Sequence, residues 1–184
     1  TIVEPDSLSI TQPQIDWIVD YMNEFNSVLW QDTGSSHYPG PEARYSDYID
    51  VVSWIDHFIV EEIGNDADAL NISYFIHKYR NGKIHSGPPW DFDRAFHENA
   101  KSSRPYDVWR SGGGSLARLH NDLQDYLEYN MTFADRWFEH RETILNTAVS
   151  MAYIDDTVAY ISEAMTRSIH HYGFRGASAH YTEE

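Results

Sequence analysis

The chain has 184 residues, a length that fits one compact domain. Its 41% hydrophobic content, with six Trp, thirteen Tyr and eight Phe, is ample for a packed core and excludes a disordered chain. The formal charge of 13 − 29 = −16 repels phosphate backbones, which argues against a nucleic-acid partner. The lack of cysteine excludes disulfides, thiolate catalysis and cysteine-type zinc sites, and no apolar run reaches membrane-spanning length.

Apolar residues at helical spacing predict a first helix over residues 10–30. Thr11 and Gln14 have the spacing of a capping box, in which each residue satisfies a backbone group at the start of the helix. Residues 31–44 are rich in glycine, proline and serine and are therefore predicted to form a loop.

The clearest helical pattern covers residues 50–63, with Asp50 as the N-cap. Gly64 stands in the position after the helix, where glycine is favoured because it adopts the left-handed conformation. The predicted stripe consists of Val51, Ile55, Phe58, Ile59 and either Glu62 or Ile63.

A β-hairpin is predicted after this helix. Residues 73–79 and 83–86 are two short runs with strand character, and Asn81-Gly82 between them is a strong signal for a two-residue turn. Gly-Pro-Pro at residues 87–89 ends regular pairing, because proline cannot donate to the ladder.

The remainder of the chain is predicted to be helical, after a flexible glycine-rich tract at residues 111–115. Thr132 and Asp135 form a candidate cap pair for the middle helix of three. The fold class is therefore mainly α (α+β), a helical domain with one small hairpin over residues 1–184. The three helices are predicted over residues 116–127, 133–148 and 154–169.

Four carboxylates flank the predicted hairpin: Asp66 and Asp68 precede it, and Asp91 and Asp93 follow it. A hairpin returns the chain to its starting end, so these two loops are expected to lie close together. Carboxylates that share one end repel each other unless a cation balances them. Oxygen ligands of this kind suit Mg²⁺, Mn²⁺ or Ca²⁺.

The order of helix, acidic loop, hairpin and Asp-Phe-Asp is also the order in a protein-kinase catalytic lobe. Residues 48–56 read Tyr-Ile-Asp-Val-Val-Ser-Trp-Ile-Asp, residues 66–69 read Asp-Ala-Asp-Ala, and residues 87–93 read Gly-Pro-Pro-Trp-Asp-Phe-Asp. With these motifs the chain resembles the CotH kinase family, a group of atypical protein kinases named after a spore-coat protein. The resemblance is specific from about residue 48 to residue 96.

The resemblance implies the helical C-terminal lobe of an atypical kinase-like fold, which uses ATP and Mg²⁺ or Mn²⁺ to phosphorylate a protein substrate. Asp68 matches the family's catalytic aspartate and Asp91 its metal-binding aspartate, with Asp93 as a further metal ligand. Asp66 departs from the family, which usually has Asn there, and adds negative charge. Further candidates for metal or phosphate contacts are Asp66, Asn71, Ser73 and Arg94.

By resemblance alone, the expected location is a bacterial spore coat or the cell exterior, with coat or assembly proteins as partners. Family members also have an N-terminal, strand-rich portion that supplies a lysine to the nucleotide phosphates. Residues 1–47 do not match that portion, and no lysine precedes Lys78. The chain is therefore expected to represent the larger lobe alone, able to bind a cation but poor at phosphoryl transfer.

Two other functions remain open from the sequence. A non-catalytic structural module of a spore coat or a secreted assembly would have the same helices without using the carboxylates. A glycosyltransferase would use Asp91 and Asp93 as an Asp-x-Asp motif for the metal of a nucleotide sugar. That enzyme requires an α/β nucleotide-binding half with alternating strands and helices, which this sequence does not show.

Overall fold

The computed structural model describes residues 2, 5, 9–65, 68, 70, 72–96 and 115–172, without the side chains of residues 94, 115–117 and 172. The chain folds as two compact units, Thr1–Arg136 and Trp137–Glu184. The prediction of one domain over residues 1–184 stays a prediction. The helices and strands are α1 (Gln12–Leu29), α2 (Tyr45–Tyr48), α3 (Val51–Gly64), β1 (Ile76–Lys78), β2 (Ile84–Ser86), α4 (Ser115–Gln124), α5 (Leu127–Glu142) and α6 (Thr147–Tyr172).

Helix α1 begins at the predicted capping box. Gln14 Oε1 accepts hydrogen bonds from Thr11 N at 2.8 Å and from Thr11 Oγ1 at 2.9 Å. The C-terminal half of α1 carries its buried residues, Phe25, Val28 and Leu29 among them. Together with α3 and the hairpin, this confirms a mainly α fold with one small antiparallel sheet.

Helix α3 carries more buried residues than any other helix in the described part of the chain. Asp50 caps it as predicted, because its Oδ1 accepts a hydrogen bond from Ser53 N at 2.8 Å. The predicted stripe is partly wrong at its end, since Ile63 is 39% exposed and Glu62 is half-buried. Trp54 and Glu61, which the stripe omitted, are buried. Helical spacing locates a stripe to within one residue, and the contacts of neighbouring elements decide which side chains are covered.

Two buried aromatic rings connect α1 to α3. Phe25 and Trp54 are both fully buried, with ring centroids 6.4 Å apart. The indole nitrogen of Trp54 donates to the carbonyl of Ile84 at 3.0 Å, so this large side chain is buried without an orphaned donor. Truncation of a fully buried tryptophan costs about 3–5 kcal/mol, which makes Trp54 a main determinant of stability.

The predicted hairpin is confirmed, but its turn is longer than predicted. Residues 76–78 pair with residues 84–86 in antiparallel register, which leaves a connection of residues 79–83. Gly82 N donates to Tyr79 O at 3.0 Å, and Asn81 adopts φ 59°, a left-handed conformation that asparagine tolerates. A turn of this kind uses Asn and Gly as the two-residue turn does, so the dipeptide predicted the hairpin but not the loop length.

The middle C-terminal helix begins earlier than predicted. Helix α5 starts at Leu127, and Thr132 Oγ1 donates to the carbonyl of Glu128 at 2.8 Å. Thr132 is therefore an interior residue that bonds back to the preceding turn, and the cap pair predicted for it is wrong. Among the described helices, none combines the length and apolar character needed to cross a bilayer.

His120 on α4 is fully buried in the first unit. Its Nε2 lies 3.3 Å from the hydroxyl of Tyr74 and its Nδ1 lies 3.5 Å from the hydroxyl of Tyr129. The ring of Phe58 covers it at a centroid distance of 4.5 Å. Burial, assisted by the nearby His57, lowers the pKa of His120 to about 3. The folded protein therefore holds this imidazole in its neutral form.

We expect the free energy of unfolding to fall as the pH is lowered from 7 to 5. The unfolded chain binds a proton at His120 below about pH 6.5, whereas the folded chain does so only near pH 3. Protonation of the unfolded chain therefore removes on the order of 2 kcal/mol between pH 6.5 and pH 5. Urea unfolding at several pH values measures this loss, and His120→Gln should flatten it. An unchanged slope in that variant would contradict the assignment.

Candidate functional site

The two ends of the hairpin meet at Ser73. Its Oγ donates to Asp91 Oδ2 at 3.3 Å, and its backbone N donates to the carbonyl of Asp68 at 3.3 Å. Ser73 is itself buried. The acidic loop before β1 and the loop after β2 are thus joined by one side chain, as the hairpin geometry predicted.

Asp91 has an unusual backbone conformation for a residue with a side chain. Its φ of 64° and ψ of 51° lie in the left-handed region, which Asp and Asn tolerate better than most residues. A 3-10 turn over Phe92–Arg94 follows at once, so Asp93 lies one residue beyond Phe92 in the same turn. Both carboxylates are exposed to solvent.

Phe92, between the two aspartates, packs against the end of α3. A Cβ added to Gly64 would lie 2.8 Å from Cε1 of Phe92, closer than any real side chain allows. The backbone of Phe96 also donates to the carbonyl of Gly64 at 2.7 Å. The Asp-Phe-Asp turn is therefore held directly on the last residue of α3.

The role predicted for Gly64 is wrong in its physical cause. Gly64 is the last residue of the helix, and Asn65 adopts the left-handed cap conformation with φ 44° and ψ 39°. Glycine is needed at position 64 because Phe92 approaches so closely, not because the backbone turns there. The sequence offered one hint. Asn65 is able to cap the helix by itself, so the glycine at position 64 needed another explanation.

A buried polar network lies under the loop that leads to Asp91. His57 Nδ1 is 2.7 Å from Ser86 Oγ, and Ser86 also hydrogen-bonds to the hydroxyl of Tyr74. On the other side of the imidazole, Nε2 lies 3.0 Å from Glu61 Oε1 without the alignment of a hydrogen bond. Burial and the charge of Glu61 raise the pKa of the Tyr74 hydroxyl, which therefore stays protonated. Sequence reasoning missed this network because Tyr74 and Ser86 reach His57 only when the hairpin packs on α3.

Asp91 and Asp93 carry exposed carboxylates, the ligand type that hard divalent cations prefer. Mg²⁺ is usually held by one or two carboxylates together with water and substrate phosphates. Among the residues that the structure describes, no group of three or more His, Cys, Asp or Glu side chains is arranged to hold a metal. The donor set therefore suits an ion that brings other oxygen ligands with it, rather than an ion enclosed by protein alone.

The other predicted site residues have different outcomes. Asp68 is half-buried, and its main-chain carbonyl accepts from Ile72 N at 3.1 Å as well as from Ser73. Asp66 and Asn71 lie outside the described residues, as does the side chain of Arg94. The structure thus brings Asp68, Ser73 and Asp91 together through hydrogen bonds, and the roles of the remaining candidates stay predictions.

A surface hollow of about 320 Å³ lies between the end of α1 and α4. Its lining includes Trp30, Asp122 and Tyr126, none of which belongs to the candidate site. The indole nitrogen of Trp30 donates to Asp122 Oδ2 at 2.7 Å, and the Tyr126 hydroxyl donates to the carbonyl of Leu29 at 2.7 Å. These polar groups are satisfied by each other, so we assign the hollow a structural role.

We expect Gly64→Ala to destabilise the protein by about 1–3 kcal/mol, because the new methyl group overpacks against Phe92. Helix propensity alone predicts the opposite sign, a gain of about 1 kcal/mol. Val60→Ala is the matched control, since it adds alanine to the same helix at an exposed position. Urea unfolding of both variants measures the difference. Stability equal to or above that of the wild type in Gly64→Ala would contradict this contact.

The model of the family described as "CotH kinase protein" matches residues 4–184, which is nearly the whole chain. No curated protein and no solved structure matches the chain at a significant level. The family match extends well beyond the motifs at residues 48–96 that suggested it. It includes the Asp-Phe-Asp turn, the hairpin and the helices on both sides of them. The chain therefore belongs to the CotH kinase family.

Proposed function

We propose that this chain carries the metal-binding and acceptor-orienting part of an ATP-dependent protein kinase. The observation that supports this most is the position of Ser73, which bonds to the main chain of Asp68 and to the carboxylate of Asp91. Phosphoryl transfer needs a base near the acceptor and a cation near the phosphates, at a fixed separation. A residue that connects the two candidate groups would maintain that separation.

Each residue has a distinct role in this proposal. A bound Mg²⁺ or Mn²⁺ supplies the positive charge that neutralises phosphate oxygens. Asp91 and Asp93 present carboxylates to that ion from one exposed turn. Asp68 accepts the proton of the hydroxyl group on the protein substrate, and Ser73 keeps the Asp91 carboxylate oriented. Phe92 prevents the turn from moving by packing on Gly64.

The chain by itself is expected to bind the cation but to transfer phosphate poorly. Lys78, the first lysine in the sequence, lies over the rings of Trp17 and Tyr21 at 4.8 and 4.7 Å from their centroids. Its ammonium group is therefore engaged by α1 rather than directed at a phosphate. Rapid labelling of a protein substrate with ATP by this chain alone would contradict this part of the proposal.

The architecture bears on the two alternative functions. A glycosyltransferase needs alternating strands and helices before its Asp-x-Asp motif, and the described residues contain one hairpin instead. A structural module of a spore coat or a secreted assembly has no such requirement. It differs from the proposed kinase part in one measurable property, because it has no need for a divalent cation.

We expect Mn²⁺ to stabilise the protein in a saturable manner, by about 2.7 kcal/mol at 100 times its dissociation constant. Asp91→Asn should abolish this stabilisation, because asparagine tolerates the left-handed backbone but lacks the charge. Thermal unfolding and titration calorimetry at 0.15 M salt measure both effects, since salt at this level screens diffuse attraction to the acidic surface.

The matched control for this experiment is Asp32→Asn, which removes an equal charge from an exposed loop that has no part in the site. Its response to Mn²⁺ should equal that of the wild type. An equal loss of Mn²⁺ stabilisation in Asp91→Asn and Asp32→Asn would show that the effect depends only on the net charge of the protein. No stabilisation at millimolar Mn²⁺ in the wild type would favour the structural module.

A further inference from the structure

Two histidines face each other across the hairpin, away from the carboxylates. His77 of β1 is paired directly with His85 of β2. Their rings are nearly parallel, with an interplanar angle of 15° and centroids 5.3 Å apart. On β2 the neighbours of His85, Ile84 and Ser86, are both buried. Side chains alternate between the faces of a strand, so the two imidazoles project from the outer face of the hairpin.

The hydrogen bonds of His77 determine which of its nitrogens is available. Its Nδ1 lies 3.1 Å from the carbonyl oxygen of Gly87. A carbonyl only accepts, so Nδ1 carries the hydrogen and Nε2 of the neutral ring keeps its lone pair. Metal-binding histidines commonly have this arrangement, in which the second nitrogen donates to a backbone carbonyl and fixes the orientation of the ring.

His85 makes no competing polar contact within the described part of the chain. It meets the rings of His77 and Tyr79, the latter at a centroid distance of 6.0 Å. Tyr79 also meets His77 at 5.3 Å and is largely exposed, so it borders the pair without covering it. An imidazole lone pair lies in the plane of its ring, so the parallel rings direct their lone pairs side by side. The His77 ring is fixed by Gly87, and a rotation of the His85 ring about its Cβ–Cγ bond would turn its nitrogen toward an ion bound by His77. The net charge of −16 attracts cations to this surface.

We propose that His77 and His85 form a two-histidine site for a late transition-metal ion of the Ni²⁺, Cu²⁺ or Zn²⁺ class. Imidazole nitrogen suits these ions, whereas Mg²⁺ and Mn²⁺ select oxygen ligands such as Asp91. The described residues offer no third His, Cys, Asp or Glu ligand, so water or an external ligand completes the coordination. The site goes beyond the proposed kinase function and does not depend on it.

A metal at this position would also affect the candidate active site. The ion would link β1 to β2, and the second nitrogen of His77 already holds the carbonyl of Gly87. Gly87 begins the segment that leads to Asp91. The hairpin and the start of this segment would therefore lose freedom together when the ion binds.

Titration calorimetry with Ni²⁺ tests the proposal on the whole chain. We expect saturable binding to the wild type and a loss of affinity of about tenfold or more in His77→Phe and in His85→Phe, because each variant lacks one ligand. Phenylalanine preserves a flat ring in the stack, so the fold should be retained, and unfolding curves without metal check this. Asp32→Asn should bind Ni²⁺ as the wild type does, because Asp32 is an exposed loop residue outside both candidate sites.

The control is the double variant His170→Ala, His171→Ala. It removes two adjacent histidines on α6, which point to different sides of the helix and should contribute little. Equal Ni²⁺ affinity in the wild type and both phenylalanine variants would overturn the proposal, as would a loss of binding in the α6 variant alone. Absence of saturable binding to the wild type would also overturn it.

A second measurement requires no variant. Diethyl pyrocarbonate modifies accessible imidazoles, and mass spectrometry locates the modified residues. Saturating Ni²⁺ should protect His77 and His85 and leave an exposed histidine such as His170 reactive. Equal modification of His77 and His85 with and without Ni²⁺ would count against the site.

Discussion

The contact between α3 and β2 determines the position of everything else in the first unit. Asp50 N and the indole nitrogen of Trp54 both donate to the carbonyl of Ile84, at 2.9 and 3.0 Å. One turn further along, His57 hydrogen-bonds to Ser86. These residues recur at about one helical turn, so a single face of α3 follows the strand. Because β2 leads directly into residues 87–93, this contact also positions the Asp-Phe-Asp turn.

The contact between α3 and β2 also determines the register in which the strands of the hairpin pair. Ile84 and Ser86 face α3, so a slip of one residue would direct His85 inward and leave the hydroxyl of Ser86 in solvent. His57 would then be buried beside Glu61 without its hydrogen bond to Ser86. Unpaired buried polar groups cost about 1–3 kcal/mol each. The buried network and the buried side chain of Ile84 thus disfavour the same slip.

Two kinds of candidate metal ligand lie at different places on the hairpin. Oxygen ligands lie at its open end, where Ser73 joins the loops of Asp68 and Asp91. Nitrogen ligands lie on its outer face, where His77 is paired with His85. Hard cations prefer the first group and late transition metals the second. In the two proposals, one short sheet presents two sets of donor atoms that would select different ions.

The sequence by itself determined the features that depend on near neighbours. The caps at Thr11 and Asp50, the hairpin at Asn81 and the family motif around Asp91 involve residues within a few positions of each other. Only the tertiary structure decided that Gly64 makes room for Phe92 and that Ser86 meets His57. Local signals act through backbone geometry over one turn or strand, whereas these contacts arise when distant segments pack, and packing depends on the shape of both partners.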